Sequence, residues 1–192
     1  AQGACTCYSF YPTKNLFTGE GGMVTTTDAA LAERLGQLRN HGMTASYHHE
    51  SLGLNYRMTD VEASIGLGQL RVFPDQLKRR RENHARIMDL VGPLTGIRWQ
   101  KVPPGGTPGP SLFTGILPAG ADRKAFQAKL SAAGVDSGVY YPQCLHQQPV
   151  FARTRPGAHC PAAESICPTV FSLPTHHALS AEQVDHLAAT VR

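Results

Sequence analysis

The chain has 192 residues, 41% hydrophobic and 17% charged, an ordinary globular composition long enough to bury one sizeable core or one and a half smaller units. No apolar run approaches membrane-spanning length and no signal-peptide pattern opens the chain, so no membrane partner is expected and the cytoplasm is the default location. The formal charge of +4 is too mild to argue for nucleic acid. The start at Ala1-Gln2-Gly3, without a methionine, predicts an incomplete or processed chain.

In chain order, Cys5 to Phe10 alternates loosely and predicts a strand, and Met23 to Thr26 predicts a second. Pro12 and three glycines lie between them, and so does Lys14. A lysine held at a strand end by a tight turn is either a solvated turn residue or, where burial or nearby charge lowers its pKa, a Schiff-base nucleophile. Ser9 and Thr13 offer hydroxyls to an anion such as phosphate. Asp28 is placed to cap a helix running to about Arg39, with Leu31, Leu35 and Leu38 on its buried face. The polar stretch from His41 to Leu52 has no period and is expected to be a loop.

Thr59-Asp60-Val61-Glu62 is a capping box. The helix it opens carries Val61, Ile65, Gly68 and Val72 on one side, and Ala63, Gly66 and Gly68 leave room for another backbone. Pro74 is expected to end this helix and to begin a basic one running to Val91, in which Leu77, His84, Ile87 and Val91 recur at helical spacing. Lys78-Arg79-Arg80-Arg81 then reads as a solvated face rather than a nucleic-acid patch. The Pro- and Gly-rich stretch Val102 to Pro110 is an exposed loop, across which strands Ile97 to Val102 and Ser111 to Leu117 are expected to pair.

A helix from Asp122 to Ala133 closes at Gly134, and a strand from Val135 to Tyr141 follows. Pro142 to Pro161 is irregular. A short helix spans Ala162 to Cys167 and a short strand Val170 to Leu173. Ser180-Ala181-Glu182-Gln183 is a second capping box, opening a last helix with Val184, Leu187, Ala188 and Val191 on its apolar stripe. The five cysteines include no Cys-x-x-Cys pair, which argues against a disulfide framework and a structural zinc site. Adjacent histidines such as His48-His49 and His176-His177 point to opposite faces of an extended chain, so no metal is expected.

Ser9-Phe10-Tyr11-Pro12-Thr13-Lys14 followed by Gly19-Glu20-Gly21-Gly22, together with Asn55-Tyr56-Arg57, Arg39-Asn40-His41-Gly42 and Leu145-His146-Gln147, resembles the sugar aminotransferase family named after its DegT, DnrJ, EryC1 and StrS members. The resemblance covers nearly all of this chain but only about the second half of a family member. It implies the α/β fold type I of transferases that use pyridoxal 5'-phosphate (PLP): the end of the large domain in 1–73 and the small α+β C-terminal domain in 74–192.

By the same resemblance Lys14 is the catalytic residue, joined to the cofactor and later moving the proton between the substrate α-carbon and the cofactor. Ser9 binds the cofactor phosphate, and Asn55 reaches the phosphate in the neighbouring subunit of a homodimer. His146 and Gln147 line the sugar pocket. The implied reaction moves an amino group from glutamate or glutamine, the amino-acid donor, to a keto group of a nucleotide-linked deoxysugar, in antibiotic or polysaccharide synthesis. The family's first half supplies an aspartate for the pyridine nitrogen, an aromatic that stacks on the ring and a phosphate loop. Ala1-Gln2 is at most a remnant of its Asp-x-Ala-Gln run, so this chain alone is expected to be inactive. The alternative is a catalytically silent dimerisation or partner module of the same fold.

Overall fold

Local capping chemistry sets the ends of four helices in the computed structural model, which describes residues 3–94 and 96–192. Ala1-Gln2 lies outside the described residues. The chain divides into two compact units, Ala1–Pro74 and Asp75–Arg192.

In the first unit, β1 (Thr6–Ser9) and β2 (Gly22–Thr25) form an antiparallel hairpin with Thr6 opposite Thr25 and Ser9 opposite Gly22. Asp28 caps α1 (Ala29–Leu38), its carboxylate accepting the Leu31 N–H at 3.0 Å. The leucine stripe of α1 is not a buried face here, because no residue of the helix is buried.

The stretch expected as a loop from His41 to Leu52 holds a small hairpin, β3 (Met43–Ala45) with β4 (His48–His49). Its strands are too short to show alternation, and the chain turns through positive φ at two non-glycine residues, His41 and Tyr47. His49 Nδ1 lies 2.9 Å from the His41 carbonyl, while the His48 ring lies 3.5 Å from Glu50.

The capping box at Thr59 forms as expected: Glu62 Oε2 accepts the Thr59 N–H at 2.8 Å and Thr59 Oγ1 accepts the Glu62 N–H at 3.3 Å. It opens α2 (Asp60–Val91), a single helix that continues through Pro74 instead of ending there. Proline removes one i→i−4 hydrogen bond and crowds the preceding turn. The long helical arms on both sides outweigh that local loss.

In the second unit, β5 (Arg98–Trp99), β6 (Leu112–Ile116) and β7 (Val170–Pro174) make an antiparallel sheet in that order. The pairing across the Pro- and Gly-rich loop is as expected, with Trp99 opposite Gly115 and Phe113 opposite Leu173. Asp122 caps α3 (Arg123–Ala132), accepting the Ala125 N–H at 3.0 Å. Ser180 and Gln183 form the second capping box at the start of α6 (Ala181–Val191), and all four predicted stripe residues are buried.

The core joins Ile87 and Val91 of α2 to Trp99, Phe113, Phe171, Leu173, Leu130, Val184 and Leu187. Trp99 stacks at 4.8 Å on Phe113 and donates its indole N–H to the Val91 carbonyl at 3.1 Å. Gly115 is required under these rings, since a Cβ there would lie 2.7 Å from Trp99 and 2.8 Å from Phe171. The predicted strand Val135 to Tyr141 reduces to one bridge, in which Gly138 and Ser172 exchange backbone bonds of 2.8 Å. The stretch Pro142 to Pro161 is more ordered than expected. It holds a 3-10 turn at Leu145–Gln147 and α4 (Pro149–Thr154), and α5 (Pro161–Ile166) follows. Among the described residues no helix is long and apolar enough to cross a membrane.

Candidate active site

The loop between β1 and β2 is tied to itself. The Phe10 N–H donates to the Gly21 carbonyl and the Thr18 N–H to the Phe10 carbonyl, each at 2.9 Å, and Thr18 is buried. The Lys14 N–H closes a tight turn onto the Tyr11 carbonyl at 2.9 Å. Gly66 of α2 is buried against this loop, where a Cβ would come 3.0 Å from Thr18 Cγ2. The small residues of α2 thus serve packing inside the unit at Gly66, whereas Gly68 faces open space.

Lys14 is exposed on this pinned loop, and its amine has no hydrogen bond or ion pair among the described residues. Ser9, also exposed, ends β1; among the described residues its hydroxyl accepts only a long 3.4 Å bond from the Tyr11 N–H, so its hydrogen stays available.

Asn55 is held by a second set of backbone bonds. It bridges to Asn40, flanked by Leu54 N–H to Leu38 O at 2.8 Å and Tyr56 N–H to Arg39 O at 2.9 Å. Its side-chain oxygen accepts from Arg57 Nε at 3.0 Å, and among the described residues neither amide hydrogen has an acceptor. Among the described residues no hydrogen bond joins Asn55 to Ser9 or Lys14. Ser9 thus stands at the strand end that opens the loop carrying Lys14, and Asn55 lies on a separate segment of the same unit.

His146 and Gln147 lie in the second unit, on the 3-10 turn, beside a cavity of about 380 Å³ that Arg155, His159 and Glu164 also line. Gln147 is exposed, and its carbonyl accepts from Gln143 Nε2 at 3.0 Å. His146 is largely enclosed, with Nε2 2.8 Å from Glu164 Oε1. Glu164 also accepts the Cys160 N–H at 2.9 Å. That bond, and then His146, hold the carboxylate below its ordinary pKa against some desolvation.

Sequence reasoning did not single out Glu164. Its partner lies eighteen residues away and no local pattern links them. A second unexpected contact sets Cys144 Sγ 3.2 Å from Cys167 Sγ, both thiols free. Hydrogen bonding to Cys167 and burial push the Cys144 thiol up to about 11. Among the described residues no group of three or more His, Cys, Asp and Glu is arranged to hold a metal ion. Of the basic run, Lys78, Arg79 and Arg81 are exposed and Arg80 is half-buried, as a largely solvated face requires.

The sequence pattern of the DegT/DnrJ/EryC1/StrS aminotransferase family matches residues 1–192. Over 190 residues the chain is 38% identical to the UDP-N-acetyl-3-dehydro-alpha-D-glucosamine 3-aminotransferase of Acidithiobacillus ferrooxidans, covering 97% of this chain and 49% of that protein. It is 34% identical over 194 residues to the dTDP-3-amino-3,4,6-trideoxy-alpha-D-glucose transaminase of Streptomyces venezuelae, covering 100% of this chain and 50% of that one. The crystal structure of S. venezuelae DesV in complex with a ketimine intermediate superposes with a TM-score of 0.91 at 34% identity, over 99% of this chain and 51% of that chain. The chain thus spans about half the length of the curated relatives it matches, and the expected α/β type I transferase fold is borne out. It belongs to the DegT/DnrJ/EryC1/StrS aminotransferase family.

Proposed function

We propose that this chain supplies one half of a PLP-dependent aminotransferase that moves an amino group from glutamate or glutamine to a keto group of a nucleotide-linked deoxysugar. The observation that carries the reading is Lys14. It is an exposed amine without a partner among the described residues, on a loop pinned at both ends, inside a chain that matches the family throughout. The unit Ala1–Pro74 is then the last part of the large domain and Asp75–Arg192 the small domain.

The donor set suits the cofactor. An amine, a hydroxyl with a free hydrogen and an amide with both hydrogens free are the groups that an aldehyde and a phosphate need. When bound, PLP supplies an aldehyde carbon and a ring that takes up an electron pair. Ser9 Oγ and Asn55 Nδ2 would donate to the phosphate oxygens. Lys14 Nζ would hold the aldehyde end and would be the group that moves the proton at the substrate α-carbon. His146 and Gln147 contact the sugar. Asn55 would serve the neighbouring subunit of a homodimer, and the apolar side chains of α2 that stand exposed, Val61 at 71% and Leu67 at 61%, support such an interface.

The test is borohydride reduction of the full-length protein loaded with PLP, followed by peptide mapping. A pyridoxyl group fixed to Lys14 in the wild type and missing from Lys14→Ala is the expected result. The 192-residue chain alone is expected to show no transamination. No label in any form would overturn the aminotransferase reading and favour a silent module of the same fold.

A further inference from the structure

The two ring nitrogens of His146 have different surroundings. Nε2 lies 2.8 Å from Glu164 Oε1, whereas Nδ1 has no hydrogen-bond partner among the described residues and is not sealed from solvent. Glu164 is an ionised carboxylate whose other bond comes from the Cys160 N–H. A carboxylate offers only lone pairs, so the nitrogen facing it must carry the hydrogen. In the neutral ring the remaining nitrogen then carries the lone pair. His159 Nδ1 also approaches Glu164, but at 3.6 Å and with its side chain 79% exposed it competes weakly.

We propose that Glu164 is a positioning residue that fixes His146 in the Nε2–H form, so that Nδ1 meets the cavity as a hydrogen-bond acceptor and takes a hydroxyl group of the ligand there. The choice of a polyhydroxylated ligand rests on the aminotransferase reading above; the tautomer does not.

The remaining lining agrees with this division. Arg155 and the amide nitrogen of Gln147 supply donors, and both hydrogen bonds to Glu164 fall on Oε1. His146 Nδ1 is therefore an acceptor with donors beside it. A hydroxyl can give its hydrogen to Nδ1 while accepting from a neighbouring donor. A phosphate oxygen cannot, because its lone pairs would oppose the one on Nδ1. This favours a sugar hydroxyl at His146 and any anionic group at Arg155.

The test is a long-range proton–nitrogen NMR correlation on the full-length protein labelled with 15N-histidine, in alkaline buffer where imidazoles are neutral. The His146 ring is assigned by its loss in His146→Gln. The expected wild-type pattern is protonated Nε2 and bare Nδ1. Glu164→Ala should shift it toward a mixture, and Glu164→Gln, whose amide oxygen still accepts, should keep it. A wild-type ring with hydrogen on Nδ1, or an even mixture, overturns the proposal without requiring any variant to fold.

In turnover, Glu164→Ala should raise KM for the nucleotide sugar about tenfold, the worth of about one neutral hydrogen bond, with kcat within about twofold. Glu164→Gln should restore KM. A loss confined to kcat would also overturn the proposal. Absence of transamination from the wild type would instead sink the reading under Proposed function and leave the tautomer measurement to decide this one.

Discussion

The two units of the chain are stabilised by different means. In Asp75–Arg192 a continuous apolar core runs from Ile87 through Phe113 and Phe171 to Val191. In the described part of Ala1–Pro74 no hydrophobic side chain is buried; Thr18 is, and what holds the unit together is hairpin bonds, caps and the close approach of Gly66. Apolar burial yields roughly 25 cal/mol per Å², so the second unit has an intrinsic source of stability that the first lacks. The candidate cofactor residues all belong to the unit without a core. Geometry there is set by backbone hydrogen bonds, and a site built that way depends on what covers it.

The sharpest way to break the contrast is Phe171→Ala, a fully buried ring replaced by a cavity. Unfolding of the second unit, followed by circular dichroism in denaturant, should lose about 3–5 kcal/mol. The helix caps sharpen the comparison at smaller scale. Ser180→Ala should lower the stability of the second unit by about 1 kcal/mol. The equivalent change Asp28→Ala should leave that transition in place and show up as faster hydrogen exchange at the Leu31 amide.

Cys144 gives a pH test confined to the second unit. Its thiol is raised from 9.0 to about 11, so across that window the unfolded chain has lost a proton that the folded one keeps. Stability therefore falls as pH rises through this range. Cys144→Ala should remove this part of the alkaline slope, and Cys144 should be alkylated more slowly than exposed Cys5, Cys7 and Cys160. The smallest effect is expected at Leu67, where Leu67→Ser on the exposed side of α2 should change the unfolding of this chain by less than about 0.5 kcal/mol.

What was legible in the sequence follows the range of the interactions involved. The capping boxes at Thr59 and Ser180 and the cap at Asp28 complete themselves within three or four residues, and they form as read. The pairing across the Val102 to Pro110 loop was legible because its turn residues exclude regular structure. Pro74 misled because a local rule was applied where flanking helix overrides it. The β3–β4 hairpin was hidden because His41 and Tyr47 take a conformation that glycine usually marks.

At the site, the motif carried Ser9, Lys14 and Asn55, and the structure adds how each is held. Glu164 was invisible because its contact with His146 exists only after α5 packs beside the 3-10 turn. The Cys144–Cys167 approach is non-local in the same way.

Trp99 is the one tryptophan among these 192 residues. Its indole sits against Phe113 and Phe171 and is 8% exposed. Intrinsic tryptophan fluorescence from this chain is therefore a probe planted in the second unit. A melting curve recorded that way registers the loosening of the aromatic core and is blind to the Lys14 loop. A variant around Lys14 that leaves the emission unchanged has passed no test of its own folding. Its integrity has to be read from backbone amides or from the cofactor itself.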